Sequence, residues 1–269
     1  MDAPGGSEVY WDAHLHLEKY SDQEIDQFFC DDQLEGVIAV SMDLSSSKRT
    51  LSLKKKYPGR VFAACGFHPE QPARFDQDQW FQFLHTHRDE IDAIGEIGLP
   101  YYLERQWRKE GKPFDKAAYL KILQTMLNWA DEWDKPVILH GVYEDVSLIC
   151  DYLEETSLSN VHFHWLKTDP ATLKRMKKYG YYVSFTPDLL YNDKTRQVAR
   201  SYPLERIMVE TDGPWPFENK FSGKQTEPSM VLAVLEELAN LKKMPLEKVA
   251  QKVRENTWQF LQIHEKSPF

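Results

Sequence analysis

Eight short apolar runs recur along the 269-residue chain, bounded by turn-forming residues, and helix-length stretches separate most of them. The runs cover residues 9–16, 36–42, 60–67, 92–99, 136–141, 160–165, 181–186 and 206–212. Amphipathic stretches at 45–57, 75–90, 116–134, 146–155, 171–179 and 188–201 lie between runs, and 227–241 and 246–263 follow the eighth. Strands that alternate with helices line up in parallel, because a crossover has to bring the chain back to the same end of the sheet. Eight such units predict an α/β fold of the TIM (β/α)8 type, one domain over residues 1–269. An open doubly wound sheet expects a Gly-rich phosphate loop after its first strand, and His14-Leu15-His16 stands there instead.

Local punctuation agrees. Asp169-Pro170 places an N-cap acid before a proline suited to the first helical position, Pro245 opens the last helix, and Gly180 closes a helix before the seventh strand. Residues 101–115, YYLERQWRKEGKPFD, form an insertion after the fourth strand in which no strand or long helix is evident. It falls on the barrel face where active sites lie, and reads equally as a substrate-contacting loop or a plain surface connection.

Six residues with metal-ligating side chains sit at or just past the ends of five of these runs. They are His14, His16, Glu96, His140, His164 and Asp212. Residues i and i+2 of a strand share a face, so His14 and His16 can share one ion. Glu96 lies among Ile94, Gly95, Ile97 and Gly98; a carboxylate buried there needs an ion pair, a donor network or a metal, and its two oxygens can bridge two cations. His140 and His164, each read alone, are core histidines; their common position at strand ends favours ligation. Asp212 can also accept a proton from a water, which makes Asp212 and Glu96 the candidate catalytic carboxylates. His68, in GFHPE, is expected on substrate or behind a ligand, and Lys167 on a substrate phosphate, with Lys220 and Lys224 as further candidates. His162 reads as a core residue, and His85, His87 and His264 as helical surface or packing residues. Neither G-x-S-x-G nor H-E-x-x-H occurs, so a serine nucleophile and a zincin helix are unsupported. Imidazole and carboxylate ligands accept zinc, manganese or nickel, and magnesium more weakly. The chain therefore reads as a metal-dependent hydrolase.

Charge narrows the partners. With 33 basic and 42 acidic residues the net charge is −9, which argues against sequence-independent duplex binding but leaves room for a local basic mouth. Cys30, Cys65 and Cys150 show no CxxC spacing and read as reduced thiols. The start MDAPGGSE lacks a signal-peptide pattern, and no apolar run reaches the ~18 residues of a membrane span. A cytoplasmic protein with no membrane partner, a monomer or weak homo-oligomer, is expected.

Taken in order, DAHLH, GFHPE, AIGEIGL, PVILH, VHFHW and VETDGPW resemble the motifs of the TatD family of metal-dependent deoxyribonucleases, in the amidohydrolase superfamily. GKQTEP at 223–228 is similar to the family's GKxNEP stretch, and ENTWQFL to its closing helix. The resemblance implies a TIM barrel with up to two divalent cations, held by the same six residues, that hydrolyses phosphodiesters at nucleic-acid ends or in a small substrate. Five places depart from the family pattern: Glu70, Pro100, Gly141-Val142, Trp165 to Thr168, and Ser222. Hydrolysis of a lactone or amide in a small molecule is the alternative chemistry for the same ligands, and a non-catalytic barrel the third reading.

Overall fold

The computed structural model describes residues 9–73 and 77–263. Within them, strands β1 (Tyr10–Leu15), β2 (Leu34–Val40), β3 (Val61–Cys65), β4 (Ala93–Gly98), β5 (Val137–His140), β6 (Val161–Phe163), β7 (Tyr182–Phe185) and β8 (Ile207–Val209) pair in sequence order, all in parallel. Beyond β8 the chain continues along β1: Asp212 N donates to His14 O and His16 N to Gly213 O, both at 2.9 Å. This is the barrel that the alternation predicts.

The helices are α1 (Asp22–Phe28), α2 (Leu44–Lys56), α3 (Gln77–Thr86), α4 (Tyr101–Lys109), α5 (Lys116–Glu132), α6 (Glu144–Leu153), α7 (Pro170–Tyr179), α8 (Asp193–Ser201), α9 (Val231–Lys242) and α10 (Leu246–Phe260). At α7, Asp169 accepts from Ala171 N and Thr172 N, Pro170 takes the first turn, and Gly180 closes the helix at φ +69°. Two helices lie outside the sequence expectation. Helix α1 is set by a capping box, in which Ser21 accepts from Glu24 N and the Glu24 carboxylate takes Ser21 N. Helix α4 fills the first part of the 101–115 insertion, which was expected to lack an extended helix. The stretch at 188–201 is also not continuous. A 3-10 turn, Pro187–Leu190, ends before Asn192, whose side chain caps α8. His264 and the start of the 75–90 stretch lie outside the described residues. Among the described residues no helix is long and apolar enough to cross a membrane. None of the three cysteines is paired.

Two apolar layers hold the barrel. Trp11, Ala13, Ile38, Val40, Ala64, Ala93, Ile138, Tyr182 and Met208 reach one cluster from seven different strands, which only the barrel interior allows, and Phe260 of α10 joins them. The larger cluster lies between the strands and the helices. Both faces of each strand are thus buried, as a parallel sheet requires.

Strict alternation breaks at three places. On β2, Leu34 to Gly36 spans two steps against one on β1, from Tyr10 to Trp11. On β1, Ala13 belongs to the interior and Leu15, two residues on, to the helix side. Here Asp12 to Leu15 spans three steps against two on β2, from Val37 to Ala39. On β4, Ile94 to Ile97 again spans three steps against Val137 to Leu139 on β5. Extra residues of this kind are β-bulges, which re-aim the side chains beyond them. Those on β1 and β4 turn His14 and His16, and Glu96, toward the inside of the barrel.

Candidate metal centre

The six sequence-predicted ligands converge at the C-terminal mouth. The Glu96 carboxylate lies at their centre, fully buried, with its two oxygens serving two groups of imidazoles. Oε2 is 3.2 Å from His14 Nε2 and 3.6 Å from His16 Nε2. Oε1 is 2.8 Å from His140 Nδ1, 2.6 Å from His164 Nε2 and 3.5 Å from His68 Nε2. Asp212 Oδ1 completes the first group, 3.4 Å from His14 Nε2 and 3.6 Å from His16 Nε2.

Backbone close to steric limits brings these groups together. A Cβ on Gly66, at the end of β3, would lie 2.5 Å from Gly95 C and 2.6 Å from Glu96 O, so only glycine lets β3 approach the bulge that carries Glu96. Asp212 takes φ +52°, three residues beyond β8, and Trp165 φ +39°, two residues beyond β6. Residues other than glycine persist in this left-handed region where the surroundings over-determine them, and such positions cluster at functional sites. Asp212 is fixed through His14 O. Trp165 is fixed at both ends, its N–H on Glu210 Oε1 (2.9 Å) and its indole on Asp188 Oδ2 (3.0 Å).

Burial alone would raise the Glu96 carboxyl, but His164, His68 and His14 outweigh it and hold Glu96 well below the usual carboxylate range. Burial also opposes charge on His140 and His164. The Glu70 and Glu96 carboxylates push His140 up to about 9, and Glu96 with Glu210 holds His164 well above the ordinary imidazole. At Asp212 burial prevails over the nearby imidazoles and raises the carboxyl. His14 Nε2 and Glu96 Oε2 are buried without a hydrogen-bond partner. Buried groups of this kind call for a partner. A set of imidazoles and carboxylates whose donor atoms face one point fits a divalent cation, which would take the place of the protons that the carboxylates hold on His140 and His164.

His68 stands close enough to join this group, but its tautomer argues for another role. Glu70 N–H donates to His68 Nδ1 at 3.1 Å, so a neutral ring carries its proton on Nε2. Burial keeps the ring neutral, well below the ordinary imidazole value, against the pull of Glu96. His68 therefore offers the site an N–H and not a lone pair. Lys167 lies at the mouth, half-buried, its Nζ 4.3 Å from the Trp165 ring centroid. Burial lowers its ammonium, opposed by Asp188 and Asp212. Lys220 and Lys224 are exposed beside the Phe221 ring.

Carboxylates that the sequence reading passed over stand behind the imidazoles. Glu18 Oε1 is 3.4 Å from His16 Nδ1, Glu210 Oε1 is 3.6 Å from His164 Nδ1, and Glu70 Oε1 is 3.4 Å from His140 Nε2. Each faces the ring nitrogen turned away from Glu96, the arrangement that orients metal-binding histidines. Glu210 was discoverable: like Glu96 it is a carboxylate next to an apolar strand, two residues before Asp212. His162 is a core residue as expected, pushed down to about 3 by burial and 2.7 Å from Ser184 Oγ.

The TatD related DNase family model matches residues 11–262. The chain belongs to the TatD family. It is 39% identical over 257 residues to an uncharacterized metal-dependent hydrolase of Haemophilus influenzae, across 95% of this chain and 100% of that one. It is 27% identical over 260 residues to the uncharacterized metal-dependent hydrolase YabD of Bacillus subtilis, across 94% and 98%. The fold matches the crystal structure of YJJV, a TatD homolog of Escherichia coli K12, with a TM-score of 0.78 at 24% identity over 95% of this chain and 99% of that one. Metal-dependent hydrolysis is accordingly the activity of this TatD protein at the level of its family.

Positions that depart from the TatD pattern meet in space at two places. Val142 and Lys167 form a parallel bridge, and Tyr143 N donates to Lys167 O at 2.6 Å, so the segments after β5 and β6 build one wall of the mouth. Pro100 heads α4, and the Glu70 carboxylate receives the Tyr102 and Leu103 amides of its first turn. Ser222 is exposed.

Proposed function

We propose that this TatD protein is a two-cation phosphodiesterase acting on nucleic-acid ends or on a small phosphodiester. The division of Glu96 between two groups of imidazoles carries this reading. His14, His16, Asp212 and Glu96 Oε2 would hold one cation, and His140, His164 and Glu96 Oε1 the other, with zinc, manganese, nickel or magnesium as the candidate ions. The cations, when bound, polarise the scissile phosphoryl group and lower the pKa of an attacking water to about 7.

The protein's own groups do the rest. Asp212, with its carboxyl raised by burial, takes the proton of the attacking water and returns it to the leaving oxygen. His68 donates its Nε2–H to a phosphate oxygen, and the Lys167 ammonium offsets phosphate charge. The family's description as TatD related DNase supports a nucleic-acid substrate. The net charge of −9 favours chain ends and short substrates over long duplexes, which need many neutralised phosphates.

A panel on metal-reconstituted protein tests this. Single-stranded DNA, duplex DNA, bis-p-nitrophenyl phosphate and simple lactones are offered with each cation in turn. Cleavage of the phosphodiesters, weakest on long duplex and falling with added salt, is expected. Lactone turnover without phosphodiesterase activity under every metal would move the protein to small-molecule hydrolysis.

A further inference from the structure

Glu70 stands apart from the other carboxylates behind the histidines, because it also holds a separate element. Its Oε1 accepts from Tyr102 N at 2.8 Å and its Oε2 from Leu103 N at 2.6 Å, two first-turn amides of α4 that the helix itself leaves unbonded. A carboxylate is favoured there by the helix dipole as well. The same Oε1 is 3.4 Å from His140 Nε2, a buried nitrogen that makes no hydrogen bond. His140 turns its other nitrogen, Nδ1, to Glu96 at 2.8 Å. Helix α4 in turn leans on the mouth: the Tyr101 ring is 4.9 Å from Tyr143, and Arg105 pairs with Glu144 at 3.2 Å. Tyr102 and Tyr143 are both partly exposed beside it.

We propose that Glu70 is a positioning residue that couples the cation site at His140 to the seating of α4 over the mouth. This rests on the reading of His140 as a ligand. With Nδ1 committed to the site, the His140 proton resides on Nε2 and points at Glu70, and the carboxylate it fixes is the one that anchors Tyr102 and Leu103. Loss of the carboxylate releases both the ring and the helix start, so occupancy of the site and order of α4 rise and fall together. The departure at Glu70 and the insertion that α4 occupies are then two halves of one device.

The test needs no substrate. Zn2+ affinity is measured by chelator competition on the full chain, amide hydrogen exchange at Tyr102 and Leu103 is followed with and without Zn2+, and the His140 tautomer is read by nitrogen NMR of the zinc-loaded protein. In the wild type, zinc slows exchange at both amides and the Nε2-protonated form is found. Glu70→Ala lowers zinc affinity 10–100-fold, abolishes the zinc-dependent protection and mixes the tautomers. Glu70→Gln, which keeps one accepting oxygen and the side-chain size, gives an intermediate loss and decides the question if the alanine variant does not fold. Affinity within twofold of wild type in the folded variants, or α4 exchange indifferent to zinc in the wild type, overturns the proposal. Because no readout is turnover, a failed phosphodiesterase assay and a failed coupling are separate results.

Discussion

At the scale of single residues, one buried carboxylate sets the character of the site. Glu96 has no exposed surface, yet the imidazoles around it keep it ionised. Glu96→Gln removes that charge and one accepting oxygen, so the variant is expected to retain its circular dichroism spectrum but lose metal. Elemental analysis showing two cations per chain in that variant would contradict the sharing of Glu96. Asp212→Asn differs in kind, since it keeps the shape and loses the basicity. We expect kcat to fall ~10²–10⁴-fold while the ion at His14 and His16 largely remains. Near wild-type turnover in the loaded variant would pass the role of base to another residue. The six positions that converge at the mouth were legible because an imidazole or carboxylate next to an apolar strand end has few inexpensive explanations. Glu210 answers to the same argument and was overshadowed by Asp212. Glu70 does not: its partners Tyr102 and Leu103 lie 32 and 33 residues away, and no local spacing encodes the contact.

At the scale of elements, the site depends on how closely β3 and β4 approach. Gly66→Ala places a methyl group against the Gly95–Glu96 backbone, where the neighbouring atoms cannot rotate away. The strands must part, and Glu96 moves with β4. Metal affinity should therefore drop by at least tenfold, together with a loss of stability of about 1–3 kcal/mol, typical of overpacking. Isothermal titration with zinc and urea unfolding measure the two effects. Unchanged affinity in a destabilised variant would mean that the mouth adjusts independently of β3. Helices were read where their apolar face was long or their ends were marked, as at Asp169-Pro170. Helix α1 was overlooked although Ser21 and Glu24 spell its capping box, because only Ile25 of its seven residues is buried. Helix α4 hides in a charged insertion whose start is set by the distant Glu70.

At the scale of the whole molecule, each ligand strand contributes to one mouth, so metal should tie the barrel together. A cation bound only by the folded state stabilises by about 2.7 kcal/mol at a hundredfold excess over Kd. For a chain of this size that corresponds to a rise in Tm of about 5–10 °C. Melting with zinc and again after chelation measures it; an identical Tm in both would argue that the six residues do not form a common site in solution.

The alternation of apolar runs and amphipathic stretches determined a parallel sheet covered by helices on both faces, and the count of eight units, with His14-Leu15-His16 where an open sheet would carry a Gly-rich loop, pointed to the barrel. It also determined which end of the strands carries the chemistry. Tertiary structure alone decided which way those residues face. A regular pleat would have put Trp11, Ala13 and Leu15 on one side of β1, and the bulges in β1 and β4 overturn that parity. A bulge is a property of two paired strands and not of either run, so it has no signature in a single run's periodicity. The same holds for the wall joining Val142 to Lys167 and for Glu70 between His140 and α4, where folding brings together groups that the sequence keeps far apart.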